Sequence, residues 1–120
     1  MVRIVIADDS DAIRMVMKDI LNIGQHELVA EATNGIEAVE AYVKSKPDVL
    51  LLDMAMPKKD GLTALKEIIV IDPNANIVMI TASDNQQTMK ECMNAGARAY
   101  ILKPFNFQEV LDIISQVEKS

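Results

Sequence analysis

Cysteine is nearly absent from this chain: Cys92 stands alone, so no disulfide can form within it. Histidine is as scarce. The one copy, His26, lies in the turn before the second expected strand with no metal partner in sight, and reads as a surface residue. Basic residues are outnumbered, 12 Lys and Arg against 18 Asp and Glu, giving a net charge of −6 and a pI near 4.7. With no Lys/Arg cluster to offset it, that balance excludes a nucleic-acid-binding face. No apolar run approaches the length of a membrane span. The first strand starts at Val2 and leaves no room for a signal peptide, so the chain is expected in the cytoplasm. Internal repeats, low-complexity segments and linkers are missing too. What remains is 50% hydrophobic and 25% charged over 120 residues, the size and composition of one globular domain, expected over 1–120.

The apolar residues alternate between short runs and longer amphipathic stretches. Strands are expected at Val2–Ala7, Glu27–Ala32, Asp48–Leu52, Ile77–Ile80 and Ala99–Leu102. Helices are expected over about 11–23, 35–45, 61–71, 84–95 and 105–118, where apolar residues recur at helical spacing. Their stripes are Ile13, Met17, Ile20 and Leu21; Ala38, Val39 and Tyr42; and Leu65, Ile68 and Ile69. The fourth is Met89, Cys92 and Met93, and the fifth Val110, Leu111, Ile114 and Val117. Gly24, Asn34-Gly35, Pro47, Asp60-Gly61, Asp72-Pro73, Gly96 and Pro104 punctuate the boundaries. Strict βα alternation implies a doubly wound α/β fold: a parallel sheet, right-handed crossovers and helices on both faces.

The ends of the strands carry the chemistry. The first expected strand runs into Asp8-Asp9, the third into Asp53, the fourth into Thr81 and the fifth into Lys103-Pro104. In a parallel sheet these side chains emerge at one edge, where open α/β sheets bind ligands. Three acids that close repel one another and call for a cation. With a lysine and a hydroxyl beside them, they suit Mg²⁺ and a phosphoryl group.

These elements resemble the receiver domain of two-component response regulators along the whole chain. The resemblance is carried by Asp8-Asp9-Ser10, Asp53-Met54-Ala55-Met56-Pro57, Asp60-Gly61, Thr81-Ala82, Ala95-Gly96-Ala97 and Tyr100-Ile101-Leu102-Lys103-Pro104-Phe105. An acid pair alone is weak evidence; the set, in order and at these spacings, is specific. The stretches 14–21 and 62–68 are most similar to the stand-alone chemotaxis branch, the CheY-like regulators.

The resemblance implies a flavodoxin-like five-stranded sheet in the order 2-1-3-4-5 and a set of roles. Asp53 is implied as phosphoacceptor, with Mg²⁺ held by Asp8, Asp9, Asp53 and the backbone carbonyl of Ala55. Lys103 would pair with a phosphoryl oxygen and Thr81 would donate its hydroxyl to another, while Ala82 leaves space for the group to approach. Tyr100 would move inward as Thr81 engages, and the peptide before Pro104 is implied to be cis. Such a protein is no enzyme in the ordinary sense, since it catalyses only its own phosphorylation and dephosphorylation. Its implied partners are a chemotaxis-type histidine kinase, a downstream motor or adaptor protein, and a phosphatase. It is expected to be a monomer. Signal would leave through the face of the fourth helix, fifth strand and fifth helix, where Lys90, Phe107 and Ile113 are placed, the last two as residues off the fifth core stripe.

Each assignment has a competing reading. Asp11 reads as a residue at or near the cap of the first helix, Cys92 as packing, and Tyr100 alone could be an ordinary strand aromatic. Asp9-Ser10-Asp11 imitates the nucleophile motif of haloacid-dehalogenase-type phosphatases, but that leaves Asp8 and the position of Asp53 unexplained. An FMN carrier would share the topology, yet Asp8-Asp9 would repel the FMN phosphate. A pseudo-receiver usually lacks an acid or the lysine, and none is missing here. A phosphorelay or phosphate-sink carrier remains the alternative within the receiver family.

Overall fold

The computed structural model describes residues 2–119. Five strands, β1 (Arg3–Ala7), β2 (Glu27–Ala32), β3 (Val49–Asp53), β4 (Ile77–Thr81) and β5 (Ala99–Leu102), alternate with five helices. The helices are α1 (Asp11–Ile23), α2 (Gly35–Ser45), α3 (Gly61–Ile71), α4 (Gln86–Asn94) and α5 (Phe107–Glu118). All strand pairs are parallel and the sheet order is β2-β1-β3-β4-β5, the expected doubly wound arrangement.

The central strands β3 and β4 are buried at every position, which is why they read as continuous apolar runs. Successive side chains leave the sheet on opposite faces and feed two separate cores. On one face Leu50, Leu52, Ile77 and Met79 pack with Ala38 and Tyr42 of α2, Leu65 and Ile68 of α3, and Cys92 of α4. On the other, Ile4, Ile6, Leu51, Val78 and Ile80 pack with Met17, Ile20 and Leu21 of α1 and with Val110, Ile114 and Val117 of α5. Among the described residues no helix is long and apolar enough to cross a membrane.

Every helix starts with a side-chain cap. Ser10, Asn34, Asp60, Asn85 and Asn106 each accept a hydrogen bond from a backbone N–H in the first turn of the helix they precede. These caps correct two expected boundaries. Asn85 starts α4 two residues later than the apolar pattern indicated, and Asn106 does the same for α5. Phe105, counted as helical, instead packs from the loop against the α1–α5 core.

Three side chains also differ from expectation. Met93, assigned to the α4 stripe, is exposed. His26 is half-buried rather than on the surface, and its Nδ1 is buried without a hydrogen-bond partner. Ile113 packs against the α1–α5 core, because it lies three residues beyond Val110 on the same flank of α5. Phe107 is 51% exposed.

Candidate functional site

Parallel strands deliver their last residues to one edge, and here that edge is polar. Asp53 and Thr81 are the final residues of β3 and β4, while Asp8 follows β1 directly and Lys103 follows β5. Close packing beneath them fixes the strand ends. A Cβ on Gly61, the first residue of α3, would stand 2.2 Å from the carbonyl oxygen of Asp53, so only glycine lets α3 approach the end of β3 this closely. A Cβ on Gly35 would meet the carbonyl oxygen of Lys59 at 2.1 Å, and the Gly35 N–H donates to that same oxygen at 3.0 Å. The loop from Met54 to Asp60 is thereby pinned between the starts of α2 and α3.

The charged groups converge. Oxygens of Asp8, Asp9 and Asp53 all lie within 4.8 Å of one another. Asp8 and Asp53 are 2% and 4% exposed, whereas Asp9 faces solvent. Lys103 Nζ donates to Asp53 Oδ1 at 3.1 Å and to Asp8 Oδ2 at 3.3 Å. Asp8 Oδ1 accepts from the Ser10 N–H at 2.8 Å.

One ammonium group is too little for three acids. Burial first, then the charge of Asp8, pushes the Asp53 pKa above the ordinary carboxyl value despite the pull of Lys103. Burial works against the Lys103 charge, but Asp53 and Asp8 outweigh it and raise its pKa, so the lysine stays protonated. Three carboxylates and one ammonium leave two negative charges uncompensated when all are ionised. Hard carboxylate oxygens, converging and carrying that excess, fit a divalent cation of the Mg²⁺ type.

Beside the acids opens a cleft of about 470 Å³, lined by Asp9, Asp53, Met54, Ala55, Thr81, Ala82, Ser83 and Lys103. Thr81 Oγ1 accepts from the Ser83 N–H at 3.0 Å, which leaves its own proton free for an acceptor in the cleft. From there a chain of short polar links runs to α4. Ser83 Oγ accepts from the Asn85 N–H at 3.2 Å, and Asn85 Oδ1 accepts from Gln87 and Thr88 in the first turn. The Lys103–Pro104 peptide is cis.

The other residues singled out in the sequence lie elsewhere. Tyr100 is half-buried against the α2–α3–α4 core and, with Gln86, Met89, Lys90 and Met93, lines a second cleft of about 390 Å³ between α4 and β5. Phe107 opens α5, and Ile113 is partly withdrawn into the core. Sequence reasoning passed over Arg14, whose guanidinium reaches the backbone of Asp8. The only signal for it was the spacing of Asp11 and Arg14 on one helical face.

Comparison with known proteins agrees with this geometry. The family model described as response regulator receiver domain matches residues 4–115. The chain is 43% identical over 117 residues to the chemotaxis protein CheY of Thermotoga maritima, covering 98% of each. It is 46% identical over 114 residues to CheY of Bacillus subtilis, covering 95% of each. Among solved structures, the Borrelia burgdorferi CheX–CheY–BeF₃–Mg²⁺ complex contains a chain that superposes with a TM-score of 0.93 at 33% identity, covering 96% of this chain and 87% of that one.

Proposed function

Because the chain belongs to the response regulator receiver domain family, we propose that it is a phosphorylation-dependent switch in which Asp53 accepts a phosphoryl group from a histidine kinase. The observation that carries this reading is the placement of Asp53: a buried carboxylate on a strand end, tied to Lys103 on one side and open to the Thr81 cleft on the other. An Asp53 carboxylate oxygen attacks phosphorus and the N–P bond to the donor histidine breaks, its electron pair staying on the imidazole nitrogen, which takes a proton from water. Lys103 turns from Asp53 toward a phosphoryl oxygen, and the free Thr81 proton is donated to another. Asp8, Asp9, Asp53 and the Ala55 carbonyl would hold Mg²⁺, which when bound neutralises the acids and the incoming oxygens. The chain's own catalytic contribution is positioning and charge.

The CheY relatives support a place in chemotaxis or motility control; on that reading the target is a motor component or its adaptor. The Borrelia neighbour, captured with CheX, BeF₃ and Mg²⁺, supports a protein partner and the metal. A domain spanning 1–120 suits the family match. The test is addition of beryllofluoride with Mg²⁺, followed by NMR of the Tyr100 ring. Uptake that shifts the ring signals supports a switch; no uptake at any Mg²⁺ concentration ends the proposal.

Thr81 links the chemistry to the output. Thr81→Ala loses the hydroxyl proton offered to the phosphoryl group but leaves Asp53, Lys103 and the acids in place. It is expected to be phosphorylated by acetyl phosphate nearly as well as the parent, while the Tyr100 signals stay in their unphosphorylated positions. Full movement of the ring in that variant would show that the two are uncoupled.

The lifetime of the phosphoryl group is set by what can orient water. Ala55 has no polar side chain, and the Ser83 hydroxyl is short and engaged with the Asn85 N–H. Spontaneous hydrolysis is therefore expected to be slow, leaving termination to a separate phosphatase. Ala55→Asn combined with Ser83→Glu should shorten the lifetime by about tenfold or more, within the range positioned polar groups supply. Decay followed by loss of radiolabel at the parent's rate would refute this.

A further inference from the structure

We propose that Arg14 is a positioning residue for the metal-binding acids, clamping the turn between β1 and α1 in the shape that lets Asp8 and Asp9 share one cation; this rests on the Mg²⁺ reading above. The Arg14 side chain is 13% exposed, and its guanidinium joins three elements. Nη1 donates to the backbone carbonyl of Asp8 at 2.7 Å, and Nε donates to Glu31 Oε1 on β2 at 3.1 Å. Nη2 donates to Asp11 on its own helix.

The target of the first bond is decisive. Arg14 takes the carbonyl of Asp8 and no carboxylate oxygen of the acid pair, so it fixes the turn without competing with a cation for ligands. The rest of the turn closes around that point. The Asp8 N–H donates to Ala32 at 3.0 Å, Ser10 N–H to Asp8 Oδ1 at 2.8 Å, and Arg14 N–H back to Ser10 at 3.0 Å. Asp9 sits inside this loop, and its side chain makes no hydrogen bond or ion pair among the described residues. Its direction is set by the turn, and the turn by the arginine.

Charge and shape both favour arginine. Burial opposes its charge, but the bonds to Asp11 and Glu31 outweigh that and keep it protonated. Asp11 and Glu31, the latter shared with Lys18 at 2.8 Å, engage the charge locally, and Arg14 makes no ion pair with Asp8 or Asp9 among the described residues. A planar fork reaches three acceptors in different directions, and a single ammonium on a flexible stem does not. Partners that orient metal ligands typically matter by 10–100-fold in metal affinity.

The test is Mg²⁺ titration by calorimetry of the parent, Arg14→Gln, Arg14→Lys and Glu31→Gln, with melting curves in EDTA and in saturating Mg²⁺. Arg14→Lys keeps charge and aliphatic stem, so it remains informative if Arg14→Gln folds poorly. The dissociation constant is expected to rise about tenfold in both Arg14 variants. It should rise less in Glu31→Gln, where the bond to the Asp8 carbonyl survives. The melting increment produced by Mg²⁺ should shrink in step. Arg14 variants that melt lower in EDTA yet bind Mg²⁺ as tightly as the parent would make the residue a structural clip and overturn the proposal. Parent affinity in Arg14→Lys alone would also overturn it, showing that charge suffices without the fork. A parent that binds no Mg²⁺ would instead remove the metal reading itself, and the proposal with it.

Discussion

Asp53→Asn is expected to abolish labelling by acetyl phosphate, to below the detection limit of intact-mass spectrometry, while the circular dichroism spectrum is retained. An amide of the same shape fits the end of β3 but offers no carboxylate oxygen to attack phosphorus. Phosphate found on Asp9 or Asp11 in either protein would favour phosphatase-type chemistry instead. The same variant has a second signature. The Asp53 pKa is raised in the folded protein by burial and by Asp8, so between its unfolded and folded values the folded state binds the extra proton. Stability without metal should therefore fall as pH rises through that window. Asp60 is shifted down, chiefly by the Thr63 N–H it accepts, and its stabilising effect is lost as pH falls through its folded value. Comparison with Asp53→Asn cancels that opposing trend. The variant should lack the Asp53 contribution and be the more stable protein at neutral pH without metal.

Asp9→Ala should remove most of the response to Mg²⁺. For the parent, a Mg²⁺ concentration about a hundredfold above the dissociation constant adds about 2.7 kcal/mol to unfolding free energy. Asp9→Ala should gain almost none of that at the same concentration, because the cation loses its one exposed acid and keeps two buried ones shared with Lys103. In EDTA the order reverses: the variant should match or exceed the parent, since a repelling charge has gone. Urea denaturation with and without metal reads both effects. An unchanged Mg²⁺ increment would place the metal elsewhere.

Most of the architecture and the convergent acids were legible because they follow from backbone direction. Parallel strands bring Asp8, Asp53, Thr81 and Lys103 to one edge whatever the loops do. The less legible features depend on how side chains bend in space. Phe105 is apolar and adjoins an apolar stripe, so the helix beginning at Phe107 cannot be placed without seeing Asn106 cap it. Ile113 was read as off the stripe, but helical periodicity blurs at a stripe's margin, and the neighbouring core holds it. His26 lies in a turn, where burial depends on what packs over it; the Cβ position of Gly24 lies 2.4 Å from Leu111 and 3.0 Å from the His26 ring, so α5 closes over that corner. The spacing of Asp11 and Arg14 marks one of the arginine's partners, but its bond to the Asp8 backbone was not legible, because carbonyls leave no mark in a sequence.

The two cores lie on opposite faces of the sheet. Tyr100 and Cys92 belong to the α2–α3–α4 side, whereas α1 and α5 close over the other. A ring that shifts at Tyr100 disturbs one layer of packing and leaves its counterpart anchored. Amide hydrogen exchange should record that asymmetry on phosphorylation: faster or slower exchange in α4 and the loop before it, and unchanged protection along α1. The molecule then behaves as a fixed plate bearing the acid pair, with a resettling layer fastened to its back.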